Sequence, residues 1–169
     1  MDFTFRTSLQ PGDPPAIERV VRATGFFSAE ELAIARELAD DGLTNGAGSH
    51  YRFILAEQAG QLAGYACFGS VPCTQSAWDL YWIAVLPDIQ GQHLGRALLE
   101  QVERSVRSVG GSRIYVDTSS REQYAPTRAF YARRGYHQAA DFPDFYGPGD
   151  GKIVFAKVLG TDSTDFHAI

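Results

Sequence analysis

The chain has 169 residues, of which 44% are apolar and 12% aromatic, and 15 Lys and Arg stand against 20 Asp and Glu for a formal net charge of −5. That length suits one domain, the apolar share is enough for a packed core and excludes a disordered chain, and an acidic balance without a Lys/Arg run argues against a nucleic-acid partner. No apolar run approaches a membrane span and Met1 to Arg6 carries no signal-like stretch; Cys67 and Cys73 and four scattered histidines form no disulfide framework or zinc pattern, so a soluble cytoplasmic protein is expected.

Phe3, Thr4 and Phe5 predict a first strand. Gln10 to Pro15 is a break, with Asp13 the expected N-cap and the prolines suited to a first helical turn. Ile17, Val20, Val21 and Thr24 follow helical spacing up to a stop at Gly25. Ser28-Ala29-Glu30-Glu31 is a capping box that opens a second helix with Leu32, Ala35, Leu38 and Ala39 inward, and Asp41-Gly42 is expected to end it. Leu43 to His50 is small and polar and reads as a loop. Tyr51 to Glu57 and Leu62 to Val71 read as strands joined by a hairpin turn at Gln58 to Gln61, and Ala77 to Leu86 as a third strand of the meander.

Leu94, Leu98, Val102, Val106 and Val109 then mark a helix stopped by Gly110-Gly111. Arg113 to Thr118 is a strand. Pro126 opens a helix that runs to about Arg134 and closes at Gly135. Tyr136 to Phe145 and Lys152 to Leu159 form a last strand pair, and residues 160–169 read as a flexible polar tail. The order β-α-α-β-β-β-α-β-α-β-β predicts an α/β (α+β) domain over residues 1–159, with a mixed, mostly antiparallel central sheet flanked by helices.

The segment from Asp79 to Leu99 carries the chemistry. A strand meets a polar loop with Gly91 and Gly95 and then a helix, which sets unpaired N–H groups and a positive helix end at one place, an anion site suited to a phosphate-bearing cofactor. Alone, the loop lacks both the lysine of a P-loop and a Gly-x-Gly-x-x-Gly pattern.

Three segments in order resemble the GCN5-related N-acetyltransferase (GNAT) superfamily. They are the strand Tyr81-Trp82-Ile83-Ala84-Val85 followed by Pro87; Gln90-Gly91-Gln92-His93-Leu94-Gly95-Arg96-Ala97-Leu98, which is similar to the motif Gln/Arg-x-x-Gly-x-Gly/Ala; and Ala129-Phe130-Tyr131-Ala132-Arg133-Arg134-Gly135-Tyr136, which is similar to Phe-Tyr-x-x-x-Gly-Phe. The likeness covers roughly Tyr51 to Leu159, and the first two helices fit the family's variable acceptor region.

The resemblance implies acetyl-CoA (coenzyme A) as cofactor. Ile83, Ala84 and Val85 would contact the pantetheine arm as an added half-strand, and N–H groups from Gln92 to Ala97 would hold the pyrophosphate, within a loop begun by Gln90 and Gly91. His93 departs from the pattern, standing where the family has its middle glycine; a tolerated substitution requires a suitable φ and a side chain turned away. Thr127 and Phe130 would flank the cofactor. Tyr131 is the candidate general acid for the leaving thiolate, with a core aromatic as the alternative. Asp79, four residues before Ile83, would be the base for the acceptor ammonium or would only bind it; strand alternation sets Asp79, Tyr81, Ile83 and Val85 on one face.

Phe26, Phe27, Tyr81, Tyr124, Phe145 and Tyr146 are candidates for an acceptor pocket, each with core packing as its alternative, and His50, His137 and His167 show no constellation. The implied activity is direct acetyl transfer to a primary amine of a small molecule or peptide, with no metal, no nucleic acid and no membrane. Exposed strand edges suit a homodimer. The alternatives are a non-catalytic acyl-CoA-binding module, suggested by His93, or an acyltransferase using another acyl-CoA.

Overall fold

The computed structural model of the chain describes residues 2–160; the expected tail, from 161 on, lies outside the described residues. The elements are β1 (Thr4–Arg6), α1 (Asp13–Thr24), α2 (Ala29–Asn45), β2 (Arg52–Gln58), β3 (Gln61–Ser70), β4 (Ala77–Val85), α3 (Leu94–Ser108), β5 (Arg113–Ser119), α4 (Ala125–Arg133), β6 (His137–Gly147) and β7 (Asp150–Val158), with short 3-10 turns between some of them. The predicted order is the observed one. The strands hydrogen-bond in the order β1-β2-β3-β4-β5-β7-β6. Pairing is antiparallel at β1–β2, β2–β3, β5–β7 and β6–β7 and parallel at β4–β5, the mixed, mostly antiparallel sheet expected. The described residues pack as two compact units, 2–70 with 80–102, and 71–79 with 103–160.

In the first unit the apolar stripes of α1 (Ile17, Val20, Val21) and α2 (Leu32, Ala35, Ala39) close over Phe53 and Leu55 of β2, Leu62, Tyr65 and Cys67 of β3, and Ala84 of β4. The helical periodicity of the sequence is thus used to bury one face of each helix. The capping box forms as read: Glu31 N–H donates to Ser28 Oγ at 3.2 Å and Ser28 N–H to Glu31 Oε2 at 2.7 Å. Gly25, at φ +73°, ends α1.

Two expectations fail in this unit. Asp13 is not the N-cap. Gly12 holds that position without a side-chain cap, and Asp13 instead binds the Arg6 guanidinium through both oxygens, at 2.7 and 2.5 Å. Arg6 Nε reaches Glu57 at 2.8 Å, so a carboxylate read as local is spent on tying α1 to β1. Asp41-Gly42 does not stop α2, which runs on to Asn45 and takes up the first part of the expected loop. Gly42 is a packing notch: a Cβ there would lie 2.7 Å from Leu9 Cδ1 and from Phe53 Cε2. Glycine was demanded by close approach rather than by chain reversal.

In the second unit β5, β7 and β6 form an antiparallel ribbon paired from Arg113–Val158 to Ser119–Lys152, and from His137–Ala156 to the turn at Gly147–Asp150. Trp78 packs close to Val106 over Gly111, where a Cβ would come within 2.4 Å of either side chain, by name Trp78 Nε1 and Val106 Cγ1. Buried Glu103 of α3 receives Tyr136 Oη at 3.2 Å and Lys157 Nζ at 2.8 Å. Val109, read as part of the α3 stripe, lies beyond the helix and is exposed.

Candidate active site

Along β4 the residues alternate as a half-covered strand must. Trp78, Leu80 and Ala84 are buried, whereas Asp79, Tyr81, Ile83 and Val85 are half-buried; Trp82, in step with the buried set, is itself only half-buried. The four residues expected on one face therefore share it. The end of β4 is held by β3: Leu86 N–H donates to Ala63 O at 2.9 Å, and a Cβ at Gly64 would lie 2.8 Å from Ala84 O, 3.2 Å from Val85 Cγ2 and 3.3 Å from Leu94 Cδ2. The lack of a side chain at Gly64 lets β4 and the first residue of α3 close on β3.

After β4 the chain turns through Pro87–Ile89 and enters α3 at Leu94. Ile89 N–H donates to Leu86 O at 2.9 Å, Gln90 N–H to Pro87 O at 3.1 Å and Gln92 N–H to Ile89 O at 3.3 Å. Ala97 N–H makes the first helical bond, to His93 O at 3.1 Å. An α-helix offers its first four N–H groups no partner of its own, which here are those of His93, Leu94, Gly95 and Arg96. Gly91 and His93 have φ +82° and +64°, so both lie in the left-handed region. The histidine thus adopts a backbone conformation that glycine takes more readily, and it is exposed. Leu94, 1% exposed, anchors the loop in the core. Arg96 gives its guanidinium to Glu100 at 2.6 Å, so what Arg96 presents at the helix start is its N–H.

On α4 Pro126 lies in the first turn, and neither Thr127 nor any other side chain caps the helix; Thr127 and Phe130 are half-buried. Arg128 Nη1 donates to Ser119 O at 2.8 Å and to Arg121 O at 2.9 Å, which fixes the helix to the end of β5. Tyr131 is 2% exposed and sits among Phe130, Tyr136 and Phe155, with ring centroids 5.3, 5.6 and 6.0 Å away. Burial pushes its phenol above the usual tyrosine range, so it keeps its proton at neutral pH. Tyr131 and Asp79 belong to the second unit; Ile83, Ala84, Val85 and the Gln90–Ala97 loop belong to the first.

The acceptor candidates divide. Phe27 packs on Trp82 at 4.8 Å and on the core of the first unit, which favours the packing alternative for it. Phe26 and Tyr146 are exposed, Tyr146 lying edge-on to Phe145 at 5.0 Å. Tyr81 meets a residue that the sequence left without a role: His50 Nε2 lies 3.0 Å from its hydroxyl. The expectation that His50 has no constellation is therefore overturned, because the pairing spans 31 positions and leaves no local trace. Among the described residues no group of His, Cys, Asp and Glu could hold a metal ion, and no helix is long and apolar enough to cross a membrane.

The profile of the Acetyltransferase (GNAT) family matches residues 20–136. A crystal structure of a GNAT-family protein from Desulfovibrio desulfuricans superposes with a TM-score of 0.92 at 43% identity, covering 94% of this chain and all of that one. The [ribosomal protein bS18]-alanine N-acetyltransferase of Escherichia coli K12 is 28% identical over 149 residues, which is 86% of this chain and 89% of the relative. The PaiA N-acetyltransferase of Thermoplasma acidophilum, solved with coenzyme A, shares the fold with a TM-score of 0.72 at 18% identity, over 94% of this chain and 99% of that one.

Proposed function

This chain belongs to the GNAT acetyltransferase family and is an N-acetyltransferase that uses acetyl-CoA, and from that premise we propose that it acetylates a primary amine of a small molecule or peptide by direct transfer in a ternary complex. The observation that carries the reading is the loop before α3. Left-handed backbone at Gly91 and His93, with the N–H groups of His93 to Arg96 at a helix start, is built to receive a diphosphate. The cofactor supplies an acetyl group activated as a thioester.

The chain's own residues do the rest. Gln90 to Ala97 hold the anionic end through the main chain, and Ile83, Ala84 and Val85 offer backbone for the extended arm. Tyr131 Oη keeps a proton, the form needed to neutralise a leaving thiolate. Asp79 takes the acceptor's proton or binds its ammonium from the face it shares with Tyr81. Thr127 and Phe130 are the cofactor-contact candidates on α4, and Phe26, Tyr81 and Tyr146 the candidates for acceptor contact. The same reading treats residues 1–159 as one catalytic domain at work in the cytoplasm.

Calorimetric titration with acetyl-CoA, with ATP and NAD as controls, tests the cofactor site. Selective binding is expected, and equal or better binding of ATP or NAD would sink it. CoA release is then followed with an alanine-led peptide, kanamycin and spermidine. The alanine-led peptide comes first because the Escherichia coli relative is named for an alanine acceptor.

A further inference from the structure

We propose that His50 is a positioning residue for Tyr81, and that the pair presents a hydrogen-bond acceptor to the incoming amine; the proposal rests on the acetyl-transfer reading. Three stretches of chain build this group. His50 and Tyr51 precede β2, Gly69 lies near the end of β3, and Tyr81 lies on β4. The three rings cluster: His50–Tyr51 and Tyr51–Tyr81 meet edge to face at 5.4 and 5.7 Å between centroids, and His50–Tyr81 lies tilted at 6.2 Å.

Gly69 makes room for them. A Cβ there would lie 2.9 Å from His50 O and 3.0 Å from both His50 Nε2 and Tyr81 Cε2. The segment that carries His50 is fixed as well. Ser49 Oγ donates to Asp41 Oδ2 at 2.5 Å and accepts from Tyr51 N–H at 3.0 Å, while Asn45 Nδ2 donates to Asp41 Oδ1 at 2.7 Å.

An imidazole on the surface so held does little for stability, since an exposed hydrogen bond exchanges readily with water. Its effect falls on Tyr81, which shares its face of β4 with Asp79 and Ile83. With Nε2 bare, the imidazole accepts the phenolic proton, and the Tyr81 oxygen then offers lone pairs to an N–H donor. Without His50 the phenol loses that acceptor at 3.0 Å, and with it the bond that directs its proton away from the amine. The pair therefore selects for ammonium and amine groups, which are donors, over carbonyl and carboxylate groups, which are not.

The test compares wild type, H50A, H50Q, Y81F and the double variant H50A/Y81F. Each is measured for acetyl-CoA binding by calorimetry, for melting temperature, and for kcat and KM of CoA release with the alanine-led peptide, kanamycin and spermidine. H50A and Y81F are each expected to lower kcat/KM for the best of the three amines about tenfold, the size of one lost hydrogen bond, and the double variant no further. H50Q, which retains a hydrogen-bonding head, is expected to recover most of the loss. Acetyl-CoA affinity and melting temperature are expected to stay at the wild-type values.

The proposal falls alone if wild type is active and H50A matches it, if the two losses multiply, if H50Q does no better than H50A, or if acetyl-CoA binding weakens in parallel. If wild type binds acetyl-CoA and releases no CoA with any of the three amines, the acceptor reading is overturned and this proposal goes with it.

Discussion

Between Gln90 and Ala97 the main chain is what the protein presents. Gln90, Gly91, His93 and Arg96 are exposed, Arg96 is tied to Glu100, and Leu94 is sunk into the core as an anchor. On α4 the case is reversed: the backbone is ordinary helix, and the group of interest is one phenol, 2% exposed among three other rings. Under the proposed function the loop holds charge with N–H dipoles, so almost any side chain serves if φ is right. The helix holds a proton on one atom, so only one side chain serves, and its surroundings set its acidity.

The largest effect expected from this contrast is at Tyr131. Tyr131→Phe keeps the ring and removes the proton, so kcat should fall about a hundredfold with acetyl-CoA affinity unchanged. An unchanged kcat in steady-state assays would remove Tyr131 from the chemistry and leave it as core. In the loop the corresponding change is His93→Val. A β-branched residue resists positive φ, and reshaping the helix start should weaken acetyl-CoA binding about tenfold by calorimetry, with kcat at saturation little altered. If His93→Val instead binds normally and loses kcat, the division of labour between loop and helix is wrong.

Alkaline unfolding probes the buried phenols, that of Tyr65 on β3 among them. Burial holds the phenols of Tyr131 and Tyr136 above their ordinary value, so above about pH 10 the folded chain keeps protons that the unfolded chain has lost. Their contribution to stability is whole below that pH and declines as pH rises toward the folded values. Urea midpoints should therefore be flat near neutrality and fall above pH 10, and Tyr131→Phe should make that fall shallower. A midpoint that held through pH 11 would contradict the burial.

The smallest effect is expected at His93→Gly. Glycine relieves the left-handed strain, of about 1 kcal/mol, and loses part of the gain to the entropy of a freer unfolded chain. Acetyl-CoA should bind equally well or up to about threefold more tightly, and weaker binding would mean that the imidazole itself contacts the cofactor.

What could be read from the sequence was what neighbours in sequence determine. The capping box at Ser28, the stop at Gly25 and the turn at Ala59-Gly60, with φ +50° and +75°, all follow from side chains and backbone within four residues of each other. The strand, polar Gly-bearing turn and helix start from β4 to α3 belong with them, since they follow one another in sequence. The three family segments extended that reading to Tyr131 and Asp79 as candidates.

What tertiary structure alone decided were the residues whose partners come from elsewhere. Gly42 looked like a stop and is a notch for Leu9 and Phe53. Asp13 looked like a cap and is the far end of an ion pair to Arg6. His50 looked like a loop residue and meets Tyr81, and the conformation of His93 became visible only as an angle. The division has a physical cause. Turn, cap and periodicity energies are set over one or two helical turns of chain, whereas a packing contact or a long-range hydrogen bond depends on which surfaces the fold brings within a few ångströms, and no residue carries that information alone.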